Sequence, residues 1–179
     1  MNHQVAGVVL RCPESRDAAA LYAQKNDMEV ATLLGGFSKG YSEQDIAGWI
    51  EAHRNRADEA LFVIADGSTN VCLGHVGLYN IDHRIRSAEF AIMIGDKDSW
   101  GRGLGTEITA YMLDYGFGWL NLNRIELTVL ASNVRAIALY EKLGFSKEGV
   151  KRQAQYKSGS YVDVCLMAKL REDLDVDDS

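Results

Sequence analysis

The sequence predicts a mixed α/β domain of the α+β kind, with a mainly antiparallel central sheet flanked by helices. Three observations predict it. Short apolar and β-branched runs, separated by turn residues, follow one another in mid-chain as a meander does. Helical periodicity appears twice before that meander and twice after it. The resulting order, β-α-α-β-β-β-α-β-α-β-β, lacks the regular β-α-β alternation of a doubly wound nucleotide-binding sheet.

Each element has a local reason. Val5–Arg11 reads as a strand, closed by Pro13, the one proline. Glu14–Lys25 reads as a helix, with Ala18, Leu21 and Tyr22 at i, i+3 and i+4. Glu29–Gly40 is ambiguous, and its Gly35-Gly36 pair suggests a loop. Ser42 to Asp45 resembles a capping box opening a helix that turns Ile46, Trp49 and Ile50 to one side. Leu61–Ala65, Val71–Tyr79 and Ala88–Ile94 are the meander strands, the first two joined by a turn at Asp66–Asn70. Four glycines in Gly95–Gly105 then break the pattern. From Leu104 to about Trp119 runs a helix with two adjacent i+4 rows, Leu104-Ile108-Met112 and Tyr111-Tyr115-Trp119. Ile125–Leu130 is a strand, and Val134–Leu143 a helix that Gly144 ends in the C′ role. Ser146–Tyr156 and Tyr161–Ala168 close the chain as strands around a turn at Ser158-Gly159.

Composition bounds the function. A chain of 179 residues suits one domain, placed at residues 5–171, with an acidic tail at 172–179. Hydrophobic residues at 47% and charged residues at 25% are those of a soluble globular protein, and no repeat or linker interrupts them. The net charge of −6 argues against nucleic acid and is compatible with a cationic acceptor such as an amine. Three cysteines, an odd number without a C-x-x-C, suggest neither disulfide framework nor metal site. With no basic segment before an apolar run at the N-terminus, and no run long enough to span a bilayer, the expected location is the cytoplasm, away from membranes.

Two segments carry chemistry. Gly101-Arg102-Gly103-Leu104-Gly105-Thr106 lies between a strand and a helix. Its glycines allow positive φ and close backbone approach, and the following helix start offers free amides to an anion. A pyrophosphate is the natural guest, with Arg102 adding charge. The segment is neither a dinucleotide fingerprint, since Thr106 stands where glycine is needed, nor a P-loop, since G-K-[ST] is missing. The second segment is Asn133 to Phe145. There Tyr140 faces inward with Ala136 and Ile137, and Asn133 is placed as a helix N-cap.

Taken together, "AEFAIMIG", "SWGRGLGTE", a strand, and "SNVRAIALYEKLGF" resemble the GNAT superfamily of acetyltransferases. The likeness covers roughly Val8 to Leu170 and is strongest in Ala88–Glu148. The family's Q/R-x-x-G-x-G/A motif falls on Trp100-Gly101-Arg102-Gly103-Leu104-Gly105, with Trp100 departing from Gln or Arg. Two branches look nearest: spermidine N-acetyltransferases, and those acetylating N-terminal alanine or serine of ribosomal proteins.

The resemblance implies a GNAT-like sheet with a strand splay at the acetyl-CoA site. It also implies direct transfer from acetyl-CoA to a primary amine in a ternary complex, without a metal. The acceptor is then a peptide N-terminus or a small amine such as a polyamine. The loop Trp100–Thr106 would hold the pyrophosphate, Ile92, Met93 and Ile94 would offer a main-chain donor to the thioester oxygen, and Asn133 would bind the pantetheine arm or order its helix. Tyr140 matches the general acid. Glu89 is the candidate base, with Glu126, His75, His83 and a water relay open beside it. Acceptor recognition falls to Glu29–Tyr41, including Phe37 and Tyr41, and to the Tyr156–Tyr161 hairpin. A homodimer through sheet edges is open. The competing class is a catalytically silent acyl-CoA-binding sensor.

Overall fold

A computed structural model describes residues 3–36 and 39–174. Phe37 and the tail residues Asp175, Asp177 and Asp178 lie outside the described residues. Eight strands make one open sheet: β1 (His3–Val5), β2 (Val8–Arg11), β3 (Ala60–Asp66), β4 (Cys72–Asp82), β5 (Ser87–Ile94), β6 (Arg124–Leu130), β7 (Ser146–Lys157) and β8 (Ser160–Leu170). Their order is β1-β2-β3-β4-β5-β6-β8-β7, and among the described residues only β5 and β6 run parallel. The helices are α1 (Ala18–Asn26), α2 (Met28–Leu33), α3 (Glu43–Ala52), α4 (Leu104–Asp114) and α5 (Val134–Lys142).

The sequence signals hold where side chains fix local geometry. Ser42 and Asp45 close a reciprocal capping box, Asp45 N donating to Ser42 Oγ at 3.1 Å and Ser42 N to Asp45 Oδ2 at 2.8 Å. Asp66 Oδ1 accepts from the amides of Ser68 and Thr69 at 3.0 and 2.7 Å, which folds the β3–β4 turn. Gly144 ends α5 at φ +84°.

Four expectations change. Val5–Arg11 is not one strand: Ala6 and Gly7, both at positive φ, turn the chain so that β1 pairs back on β2. The first helix opens with a 3₁₀ turn at Ser15–Asp17, which the buried pair Arg11–Asp17 ties to β2 at 2.7 Å. The ambiguous stretch holds a short helix, α2, capped by Asp27. After Asp114, α4 continues as a π turn, Tyr115–Trp119. A π turn takes up an extra residue, so the side-chain row rotates off the core. Leu104, Ile108 and Met112 are buried as expected, but Trp119 is 79% exposed.

The sheet carries a core on each face. On one side Leu10, Phe62, Val76, Phe90 and Ile125 meet α4 and α5 through Ile108, Met112 and Tyr140. On the other, Val63, Ala65 and Met93 meet α1–α3 through Leu21, Val30, Ile46 and Ile50. Strand alternation sends odd residues of β5 to the second core and even ones to the first.

Candidate active site

The parallel pairing of β5 with β6 covers only Ser87–Glu89 against Arg124–Glu126. Past Glu89, β5 stays with β4 as far as Ile94, and β6 stays with β8 through Leu130. The half-sheets part there, and a cleft of about 850 Å³ opens between them. Phe90 to Ile94 of β5 and Thr128 to Leu130 of β6 line it, so Ile92, Met93 and Ile94 present backbone that no β6 residue pairs.

At one end stands the glycine turn. Gly101 and Gly103 both have φ of +80°, a region that side chains avoid. Gly103 is the N-cap of α4, and no side chain caps it. The amides of Leu104 and Gly105 have no backbone acceptor among the described residues, at the positive end of the helix dipole, whereas Thr106 N donates to Gly103 O at 2.9 Å. Leu104 faces the core, while Gly105 and Thr106 line the cleft. Trp100 Nε1 donates to the carbonyl of Ile94 at 2.8 Å, which pins the turn to the end of β5. Arg102 is exposed and off the cleft wall. On the α5 side the cations that line it are Arg135 and Lys142. Arg135, Leu139 and Lys142 fall at i, i+4 and i+7, a spacing visible in the sequence that puts them on one helix face.

Tyr140 sits where the strands part. It is 9% exposed, with its ring 6.2 Å from that of Phe90 and 5.6 Å from that of Phe145. It lines the cleft, and its hydroxyl makes no hydrogen bond among the described residues. Burial pushes the phenol up to about 12, so the hydroxyl keeps its proton at neutral pH. Asn133 caps α5 by accepting from Ala136 N at 3.1 Å, and its amide donates to Leu33 O at 3.3 Å.

Across the cleft, on the face of α1–α3, lie Glu89, His75, Tyr41 and Lys25. Glu89 is half-buried and accepts from Asn80 Nδ2 at 3.3 Å. Among the described residues it has no arginine partner: Arg84 pairs with Asp82, and Arg86 reaches Asn121. Glu126 is exposed and bound to Arg124 at 2.8 Å, and His83 is exposed beside Ala57. His75 is buried, and its Nδ1 has no hydrogen-bond partner among the described residues. Burial, then the charges of Lys25 and His53, lower its ring to about 3. The α2 exit lines the cleft from Val30 to Gly36, but Tyr156 and Tyr161 are exposed, and the last hairpin contributes Gln155 instead. Gln155 Oε1 accepts from Gly36 N at 3.0 Å. Lys25 and Gln155 were not legible as cleft residues, because helix spacing does not say where a long side chain ends.

A sheet split beside a bare glycine-led helix start, with a tyrosine at the split, defines a class that comparison makes explicit. The acetyltransferase (GNAT) domain matches residues 8–146. The chain belongs to this family of acetyl-CoA-dependent N-acetyltransferases. It is 32% identical to spermidine N(1)-acetyltransferase of Vibrio cholerae over 168 residues, 93% of each chain. A putative ribosomal N-acetyltransferase of Bacillus subtilis is 29% identical over 133 residues, 74% of this chain and 70% of that one. The crystal structure of the Vibrio cholerae spermidine N-acetyltransferase with CoA and spermine superposes with a TM-score of 0.85 at 29% identity, covering 94% of this chain and 98% of that one. Acetyl-CoA is thus the co-substrate, and the bare α4 start and the cationic face of α5 suit its phosphates. Among the described residues there is no group of side chains that could hold a metal, and no helix long and apolar enough to cross a membrane.

Proposed function

We propose that the chain transfers acetyl directly from acetyl-CoA to a primary amine in a ternary complex within this cleft, as a single catalytic domain over residues 5–171. Acetyl-CoA supplies a thioester whose acyl carbon the amine attacks, releasing coenzyme A as a thiolate. The start of α4 and the loop Trp100–Thr106 bind the pyrophosphate through main-chain amides, with Arg135 adding charge where Arg102 stands away. The unpaired backbone of Ile92–Ile94 offers the donor for the thioester oxygen, fixed in place before reaction. Asn133 orders α5 beneath the pantetheine arm. Tyr140 protonates the departing sulfur, and Glu89 takes the proton from the amine, directly or through water.

The observation that carries this reading is Tyr140: a protonated hydroxyl, without a hydrogen-bond partner among the described residues, at the split between β5 and β6. The relatives named for spermidine make a polyamine an obvious acceptor, but the charges of this cleft do not favour one. Among its described lining residues Glu89 is the one carboxylate, beside Lys25, Arg135 and Lys142. A singly charged amine, on a peptide N-terminus or a small molecule, suits it better. The free cysteines suit the cytoplasm, and β1 and β7 leave sheet edges on which a homodimer could form.

Free thiol release from acetyl-CoA, followed over a panel of amines, tests the proposal, with Tyr140→Phe in parallel. We expect acceptor-dependent turnover that falls about tenfold or more in the variant, the usual range for a lost general acid. Acetyl-CoA affinity should be unchanged. Equal turnover in the variant removes Tyr140 from the chemistry. Tight acetyl-CoA binding without turnover on any amine favours the silent sensor.

A further inference from the structure

Lys25 occupies an unusual position. It lies in the last turn of α1, and its ammonium stands 4.6 Å from the centre of the Trp49 ring and 5.8 Å from that of Tyr41. Trp49 is also 5.1 Å from the ring of His75, so the indole packs against both the imidazole and the ammonium at the corner where Lys25, Tyr41 and His75 line the cleft. No carboxylate among the described residues lies within ion-pair distance of Lys25. The acids nearest in sequence are already engaged: Asp27 and Glu29 hold Lys97 at 2.9 and 3.0 Å. Lys25 is half-buried, and that burial holds its ammonium below the usual lysine range, the sign of a charge partly stripped of water without an anion in return.

We propose that Lys25 reads a carboxylate on the acceptor: the amine acetylated in this cleft belongs to a small amino carboxylate, whose anion lies against the Lys25 ammonium beside Trp49 and Tyr41. The inference rests on the acetyl-transfer reading above and narrows its substrate class. An incoming anion restores to Lys25 the partner that the fold withholds, and a charge-assisted bond in a half-enclosed site is stronger than one in water. His75 is neutral and leaves the positive charge of this corner to Lys25. The ring of Tyr41, on the cleft wall, covers the apolar body of such an acceptor, and the rings of Trp49 and Tyr41 hold the ammonium in place. A polyamine brings a second ammonium to the same corner and meets Lys25 as a like charge.

The experiment measures thiol release with alanine, methionine and phenylalanine, each beside its carboxamide, and with spermidine. It compares the wild type with Lys25→Met and Lys25→Arg, and acetyl-CoA binding is followed by calorimetry. We expect the wild type to favour acid over amide by about tenfold or more in kcat/KM, the scale of one charge-assisted bond. Lys25→Met should lose that preference through KM, with kcat on amides and acetyl-CoA affinity unchanged, and Lys25→Arg should keep part of it. The wild-type comparison of acid with amide needs no variant to fold. Equal use of acid and amide, or a preference that survives in Lys25→Met, overturns the assignment. Turnover of spermidine or the amides alone overturns it too, yet leaves acetyl transfer standing. Tight acetyl-CoA binding with no thiol release on any acceptor overturns both.

Discussion

His75 shows how a single residue can be silent in chemistry and visible in stability. It lines the cleft, but a ring held near 3 by burial is a feeble base at neutral pH, which leaves Glu89 as the nearer candidate. Unfolded, the ring titrates near its ordinary value of 6.5. Between these values the unfolded chain takes up a proton that the folded chain refuses. The contribution is therefore whole above about 6.5 and drains away as pH falls toward 3, at about 1.4 kcal/mol for each unit. From pH 7 to 5 the thermal midpoint should drop by roughly 4 °C or more from this group alone. His75→Leu, which removes both the titration and the unpartnered Nδ1, should flatten that slope without a large loss at pH 7. Parallel slopes for wild type and variant over this range would show that another group governs the acid limb.

At the scale of the element, the turn into α4 makes a sharp prediction. A Cβ on Gly103 meets nothing within 4 Å, so glycine is there for its φ of +80° and for the bare backbone it leaves. Gly103→Val should cost about 1–3 kcal/mol in stability from the strained φ. It should also weaken acetyl-CoA binding more than tenfold, because the new side chain stands where the proposed binding mode brings the phosphates. Gly118→Ala is the control: its φ is ordinary and its Cβ also meets open space, so both quantities should hold. Unchanged acetyl-CoA affinity in Gly103→Val by calorimetry would remove this loop from the site. Such elements were legible because their chemistry is local: glycines at a strand-to-helix junction, an Asn before a helix, a Ser–Asp box. The β1–β2 turn was hidden because Ala6 adopts φ +47°, a value that alanine does not advertise, inside an apolar run. Trp119 was misplaced because a π turn leaves no mark in a period of 3.6. Arg135 shares a readable helix face with Lys142, whereas Lys25 depends on how α1 docks against α3, which no spacing encodes.

Across the whole molecule, the split between β5 and β6 makes the cleft a seam between two parts of the fold, and seams need ties. Three polar ties cross to the α2 region: Asn133 Nδ2 to Leu33 O at 3.3 Å, Gln155 Oε1 from Gly36 N at 3.0 Å, and Lys157 Nζ to Ala31 O at 3.1 Å. They come from the α5 start and the last hairpin, and they hold the wall that carries Val30 to Gly36 along the cleft, on the side proposed for the acceptor. Gln155 is the tie that can be cut most cleanly, since Asn133 also caps α5 and Lys157 is buried. In Gln155→Ala the Gly36 amide loses its acceptor, and amide exchange at residues 34–36 should speed up. Acceptor KM should rise several-fold, the scale of one neutral hydrogen bond, while acetyl-CoA affinity stays within about twofold. The asymmetry follows from the geometry: the glycine turn, α4 and α5 keep their own contacts when Gln155 is shortened, and the α2 exit does not. A fall in acetyl-CoA affinity at constant acceptor KM would place this wall on the co-substrate side of the seam instead.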